Sequence, residues 1–355
     1  MVKGQELGQS EIPWAWSVSP DLARAAPRHL AWMRETGLIV DAAPAPGQYQ
    51  SDRYVRCDVA RLTAMGWPMA TGVDLDLVSD WMGWILVFDD MFDGPLGRDP
   101  ARCRTVVERM ISILHRGADP ATEPLSPVER GFADLWERST AGMSVQWRAR
   151  AAQNYESYFI SYVHEAVGRE RGRIPGLEEF LLIRRSSVAL DIVFDLLERV
   201  AGFEVPLVAL RSPELRTARQ LGADLPWLTN DFASLEKEEA SGDNCNLFIV
   251  LRHEFGHSDA DALDSRNDML ERWVRRFDQI EAGIGDLCAR LRLTAQEAAA
   301  VDSYLEGIRL YVAGYCQWER GAWRYSTDFA RTQHGPGAAP QAIPEAEALG
   351  QAGLR

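Results

Sequence analysis

Asp89, Asp90 and Asp93 stand together in the string Phe88-Asp-Asp-Met-Phe-Asp93, at the end of an apolar run. In a helix, positions four apart share a face, so Asp89 and Asp93 are expected to point the same way, with Asp90 turned about 100° from Asp89. Like charges raise one another's pKa, and the C-terminal end of a helix dipole disfavours anions. Hard divalent cations would remove both penalties, and an all-oxygen ligand set suits Mg2+. A solvated acidic helix end fits the same string. A second oxygen-bearing set, Asn230, Ser234 and Glu238, recurs every four residues. On a helix it makes one slowly drifting stripe over two turns. Its amide, hydroxyl and carboxylate form half a shell for one Mg2+, and Lys237 adds a cation beside it. An ordinary polar helix face also fits any one such triplet.

Together the two sets resemble the signature of the bacterial class I terpene synthases (terpene cyclases). The aspartate-rich DDxxD motif of that family matches Asp89, Asp90 and Asp93, and its NDxxSxxxE motif matches Asn230, Asp231, Ser234 and Glu238. The family carries a diphosphate-sensing arginine 46 residues before the asparagine, where this chain has Arg184. It also carries an Arg-Tyr pair near the end of its last helix, where Arg324-Tyr325 stands. Trp67-Pro68 and Asp93-Gly94-Pro95 look like the family as well.

The resemblance implies an all-α, single-domain class I terpenoid synthase bundle around a deep pocket. It implies three Mg2+ ions and an acyclic isoprenyl diphosphate as substrate, ionised and cyclised with release of diphosphate. By resemblance Asp89, Asp90 and Asp93 hold two ions, chiefly through Asp89, and Asn230, Ser234 and Glu238 hold the third. Arg184, Lys237, Arg324 and Tyr325 would bind the diphosphate. Asp89, Arg184, Arg324 and Tyr325 are then the expected catalytic set, and Asp90 would pair with Arg324 on closure. Ser187 and Val188 fall at the family's linker position and at the position whose backbone carbonyl points into the pocket. Asp is frequent at the linker, so Ser187 departs from the pattern. A homodimer is left open.

An allylic cation needs a wall that stabilises charge without reacting, and aromatic faces do this. Trp81, Trp84, Phe88 and Trp318 are the expected wall, with Trp318 favoured; ordinary core packing is the other reading of each ring. The released diphosphate could serve as the base. Farnesyl diphosphate (C15) is the commonest substrate in the family. Ile85 and Leu86 stand where members often carry Phe, and Gly66 is small. These three favour room for geranylgeranyl diphosphate (C20), which leaves C15 slightly ahead. The product would be a cyclic sesquiterpene or diterpene.

Other chemistry is weaker. His253-Glu-Phe-Gly-His257 fits the HExxH zinc-protease pattern, which requires one continuous helix. Gly256 reads as a helix stop and Ser258 as a new N-cap, which separates the two histidines. Asp191 and Asp195 are four apart but lack the adjacent acid of a DDxxD motif, and read as a helix face. A chain-elongating prenyl diphosphate synthase would carry a second aspartate-rich motif in place of the Asn/Ser/Glu stripe. A non-catalytic helical binding protein would need neither half-site.

Apolar residues recur at three and four almost throughout the chain, so the elements are expected to be helices. They are expected at about 20–37, 51–65, 74–93, 99–116, 126–139, 142–169, 177–201, 213–241, 243–255, 259–290 and 294–325. Residues 1–18 read as an N-terminal segment, 19–332 as one domain, and 333–355, rich in Ala, Gly and Pro, as a mobile tail. The chain has 355 residues, of which 46% are hydrophobic, enough for a large core. Its net charge of −14 argues against binding nucleic acid or an anionic membrane surface through bulk charge. No uncharged apolar run is long enough to span a bilayer, and no signal peptide is evident. Five dispersed cysteines without a CxxC pair fit a reduced, cytoplasmic setting.

Overall fold

The computed structural model describes residues 12–117, 124–241 and 243–325, with the side chains of 237, 240 and 241 left aside. The expected tail and the start of the N-terminal segment therefore lie outside the described residues. The chain is helical nearly throughout. Helix α1 (Leu22–Glu35) leads into the only strand pairing among the described residues, β1 (Ile39–Val40) parallel to β2 (Tyr49–Gln50). Then follow α2 (Ser51–Arg56), α3 (Val59–Gly66), α4 (Gly72–Asp90), α5 (Pro100–Arg116), α6 (Pro127–Thr140) and α7 (Val145–Glu170). The second half comprises α8 (Leu177–Ser187), α9 (Leu190–Ala201), α10 (Leu207–Leu210), α11 (Pro213–Ser241), α12 (Leu247–Phe255), α13 (Asp259–Ala282), α14 (Ile284–Arg290) and α15 (Ala295–Glu319). A 3-10 turn, Trp323–Tyr325, ends the described chain. Among the described residues no helix is long and apolar enough to cross a membrane.

Local chemistry sets these boundaries. Ser126, Ser258 and Thr294 begin α6, α13 and α15 with reciprocal capping boxes. Gly256, at φ +67, ends α12, and Ser258 starts α13, so His253 and His257 lie on opposite sides of a break. Five expected helices differ; the last, 294–325, ends at Glu319 and leaves Arg324-Tyr325 in the 3-10 turn beyond it. The segment 51–65 divides at Asp58, 177–201 at Ala189, and both residues are left-handed, at φ 51 and 59. The segment 259–290 divides at Gly283. The helix bearing the aspartates stops at Asp90, not Asp93. Beyond it, Met91, Phe92 and Asp93 donate to carbonyls three residues back, a tightened turn ahead of Gly94-Pro95.

Helix α4 runs through the centre. It is apolar nearly all round, as a helix enclosed by others must be. It packs on α1, α3 and α6. Helix α15 lies against α3 because Gly314 has no Cβ; one there would meet the Met65 carbonyl oxygen at 2.1 Å.

Candidate active site

The two faces of α4 differ. Trp81, Trp84 and Phe88 form one stripe and are 0–1% exposed. Trp84 stacks on Phe88 at 4.8 Å and 14°, and its indole donates to Val128 O. Phe92, Tyr158, Phe159 and Tyr162 enclose the Phe88 ring, and Trp81 packs on Tyr155. These rings fill the packing between α4, α6 and α7, so Trp81, Trp84 and Phe88 are core rather than the expected cation wall. About a third of a turn away, Met82 (8% exposed), Ile85 (partly buried) and Leu86 (7%) keep residual accessibility. That stripe ends at Asp89, whose side chain is 48% exposed. Ile85 and Leu86, expected at the pocket floor, share this stripe with Met82. Gly66 does not offer free floor volume: a Cβ there would sit 2.9 Å from the Tyr311 ring, which already occupies the space.

The aspartate motif is held by donors from afar. Asp89 Oδ1 accepts from the Tyr162 hydroxyl at 3.0 Å. Asp90 pairs with Arg324, with Nη1 at 2.8 Å from Oδ2, as expected. Burial works against the Arg324 charge, but Asp90 more than offsets this and raises its pKa. Asp93 lies in the turn, off the helical face predicted for it, and its electrostatic neighbours include Arg53 and Arg169. Trp318, on α15, touches the Tyr325 ring edge-on at 6.1 Å and donates its indole N–H to Asp58 O.

The second motif lies on α11. Asn230 Oδ1 accepts from Arg184 Nη2 at 2.9 Å, while its Nδ2 donates to Glu319 at 3.0 Å. Ser234 Oγ donates back to Asn230 O, and Glu238 accepts from Asn246 Nδ2 at 2.8 Å. Lys237 belongs to α11, but its side chain lies outside the described residues. Arg184, near the end of α8, is anchored by Asp231, whose Oδ1 accepts from Nε and Nη2 at 3.0 and 2.7 Å. Burial opposes the Arg184 charge, but Asp231 and Glu238 outweigh it and raise its pKa. Burial, then Asp231 and Asp243, push the Glu238 carboxyl up to about 8. Ser187 is the last residue of α8, and Val188 follows as its C-cap, its N–H donating to Arg184 O at 3.1 Å, just before left-handed Ala189.

One polar chain joins the two motifs. From Asn230 it runs to Glu319, to the Tyr315 hydroxyl at 3.1 Å, and on to the Tyr325 hydroxyl at 3.5 Å, beside Arg324. The motif reading missed Glu319, Tyr315, Tyr162 and Asn246, and gave Asp231 no role. Asp231 alone had a local signal, its place inside the second motif.

The donor set fits divalent metal. All six motif side chains offer oxygen, and the Glu238 carboxyl is buried among other carboxylates, an arrangement that a cation relieves. Among the described residues no three His, Cys, Asp or Glu side chains converge on one point. A groove of about 630 Å³ between α7 and α8 reaches Glu165, Arg169 and Asp243, but none of the expected site residues lines it.

Residues 80–276 match the family model described as terpene synthase family 2, C-terminal metal binding. The chain belongs to the terpene synthase family. This terpene synthase is 37% identical over 322 residues to a pentalenene synthase from Streptomyces avermitilis, covering 90% of this chain and 93% of that one. It is 34% identical to a (-)-beta-caryophyllene synthase, (2E,6E)-farnesyl diphosphate cyclizing, from Saccharothrix espanaensis, covering 93% and 90%. Its fold is similar to that of germacradien-4-ol synthase from Streptomyces citricolor, with TM-score 0.78 and 36% identity over 88% of this chain and 97% of that one. The protein is a class I terpene cyclase, a lyase with a divalent-metal-binding site.

Proposed function

We propose that this terpene cyclase takes farnesyl diphosphate and converts it to a cyclic sesquiterpene, with three Mg2+ ions bound. The observation that carries the site is the polar chain Asn230–Glu319–Tyr315–Tyr325, which ties the two motifs and both arginines into one constellation. Two further points support the C15 substrate. Tyr311 already occupies the room that Gly66 would have left for a longer tail. The caryophyllene synthase relative is by name a farnesyl diphosphate cyclase.

In this reading Asp89, Asp90 and Asp93 hold two ions, and Asn230, Ser234 and Glu238 hold the third. Such ions supply positive charge against a leaving diphosphate. Arg184, Lys237, Arg324 and Tyr325 bind the diphosphate oxygens. Arg184 and Arg324 are oriented before substrate arrives, by Asp231 and Asp90, so their charge needs little reorganisation when the C–O bond breaks. Met82, Ile85 and Leu86 line the hydrocarbon path leading from Asp89. Ile85 and Leu86 offer neither nucleophile nor base to an allylic cation. Trp318 offers an aromatic ring beside Tyr325.

The test is incubation of the full chain with Mg2+ and, in parallel, the C10, C15, C20 and C25 isoprenyl diphosphates, followed by gas chromatography. Cyclic C15 product in excess over the others is expected. A dominant C20 product would overturn the chain length, and a lengthened diphosphate in a parallel incubation with added isopentenyl diphosphate as the five-carbon donor would overturn cyclisation.

A further inference from the structure

The β1–β2 pairing has no role in the site so far, yet it delivers one side chain to the Arg-Tyr turn. Tyr49 N–H donates to Leu38 O at 2.8 Å, which ties β2 to the end of the α1 connection. The Tyr49 side chain is buried, and its hydroxyl accepts from Arg324 Nη1 at 3.1 Å. The same guanidinium meets Asp90. Arg53, on α2, lies over the Tyr49 ring at 5.4 Å. Nearby, Asp58 O accepts from the Trp318 indole, and the Arg56 guanidinium covers the Trp323 ring at 3.8 Å. Residues 49–58 therefore touch the chain before, at and just ahead of Arg324.

We infer that Tyr49 is a positioning residue, whose hydroxyl completes with Asp90 a two-sided grip that aims Arg324 at the diphosphate. This rests on the reading that Arg324 binds diphosphate. An arginine carries several rotatable bonds, and ordering them on binding weakens affinity. Asp90 fixes one edge of the guanidinium. The Tyr49 hydroxyl fixes a second direction from a different part of the chain, so the freedom is lost on folding rather than on binding. The hydroxyl need not touch substrate to act in this way.

The experiment is calorimetric titration of the full chain with inorganic diphosphate at saturating Mg2+, with melting temperatures recorded in parallel. Tyr49→Phe keeps the ring and removes only the hydroxyl. Tyr54→Phe is the control: it removes an equally buried hydroxyl, 2.6 Å from His29 Nε2, in the same segment but away from Arg324. Tyr49→Phe should weaken diphosphate binding about tenfold, the scale of one hydrogen bond to a charged group. Tyr54→Phe should lower the melting temperature yet bind within about twofold of the parent. Arg324→Ala should weaken binding more than Tyr49→Phe does. If Arg324→Ala is weak and Tyr49→Phe binds like the parent, the inference is overturned and the diphosphate reading stands. If Arg324→Ala also binds like the parent, both fall. If the two tyrosine variants lose affinity in proportion to their loss of melting temperature, the effect is general loosening and the inference is overturned.

Discussion

Replacing Asp231 by asparagine tests whether this buried carboxylate exists to hold Arg184. Oδ1 accepts two guanidinium N–H groups of Arg184, and Oδ2 accepts the Leu247 backbone N–H at 2.8 Å. An amide has one acceptor and one donor end. Either orientation therefore turns an NH2 group toward a donor, the guanidinium or Leu247. The buried guanidinium also loses the negative charge in direct contact with it, leaving the neutral Asn230 oxygen at 2.9 Å. Removing one partner of a buried ion pair costs about 3–5 kcal/mol. Unfolding entropy near 2.1 cal/mol/K per residue gives about 0.7 kcal/mol/K for this chain, so the melting temperature should fall by about 4–7 °C. Turnover should fall by about 10²–10³-fold, the loss typical when one preorganised charge on a leaving group is misaligned. Scanning calorimetry and product formation from farnesyl diphosphate read the two effects separately. A variant within about 1 °C of the parent and with at least half its turnover would refute the anchoring argument. A melting loss with full turnover would show that the aim of Arg184 does not matter.

Turnover should require divalent metal. Asn230→Ala or Glu238→Ala should each remove most of it with the fold intact by circular dichroism; parental activity in either would sink the half-shell assignment. Ile85→Phe should lower the ratio of C20 to C15 turnover. Phe88→Ala, in the packed aromatic stripe, should instead cost about 3–5 kcal/mol of stability by leaving a cavity, read by denaturant unfolding. Trp318→Leu should change the product mixture in gas chromatography without loss of diphosphate binding, and an unchanged profile would make Trp318 a packing residue. Burial pushes Glu198 up to about 7 against the pull of Arg150, from an ordinary value of 4.5. Between these two values the native state holds a proton that the unfolded chain has released, so this group makes stability fall as pH rises from 4.5 to 7. Glu198→Gln should flatten that part of the melting-temperature profile; an unaltered slope would show that Glu198 is not the titrating group.

Much of this protein was legible in its sequence because the relevant signals are local. The three- and four-residue recurrence of apolar side chains identified the helices, and the Ser/Thr caps and Gly256 marked several of their ends. Gly256 as a helix stop and Ser258 as the next N-cap separated His253 from His257. Both oxygen-bearing motifs lie within nine residues of chain each, so their spacing could be read directly, and the pairing of Asp90 with Arg324 followed from the family resemblance. The left-handed breaks at Asp58 and Ala189 were not legible, because neither residue is a glycine and surrounding packing holds the backbone there. The direction of the α4 rings was not legible either. A helix enclosed on every side is apolar on every side, so its pattern cannot distinguish Phe88, turned into α7, from Leu86, turned toward the stripe that ends at Asp89. Gly66 read as empty space until Tyr311, 245 positions away in the chain, was found occupying it. The hydrogen-bond partners of the site side chains, Tyr49 and Asp90 for Arg324, Asp231 for Arg184 and Glu319 for Asn230, lie 275, 234, 47 and 89 residues away along the chain. The sequence by itself determined which residues carry the charge and the oxygens. Only the tertiary structure decided where each one points, because hydrogen bonds and ring contacts between distant segments leave no periodic trace in the chain.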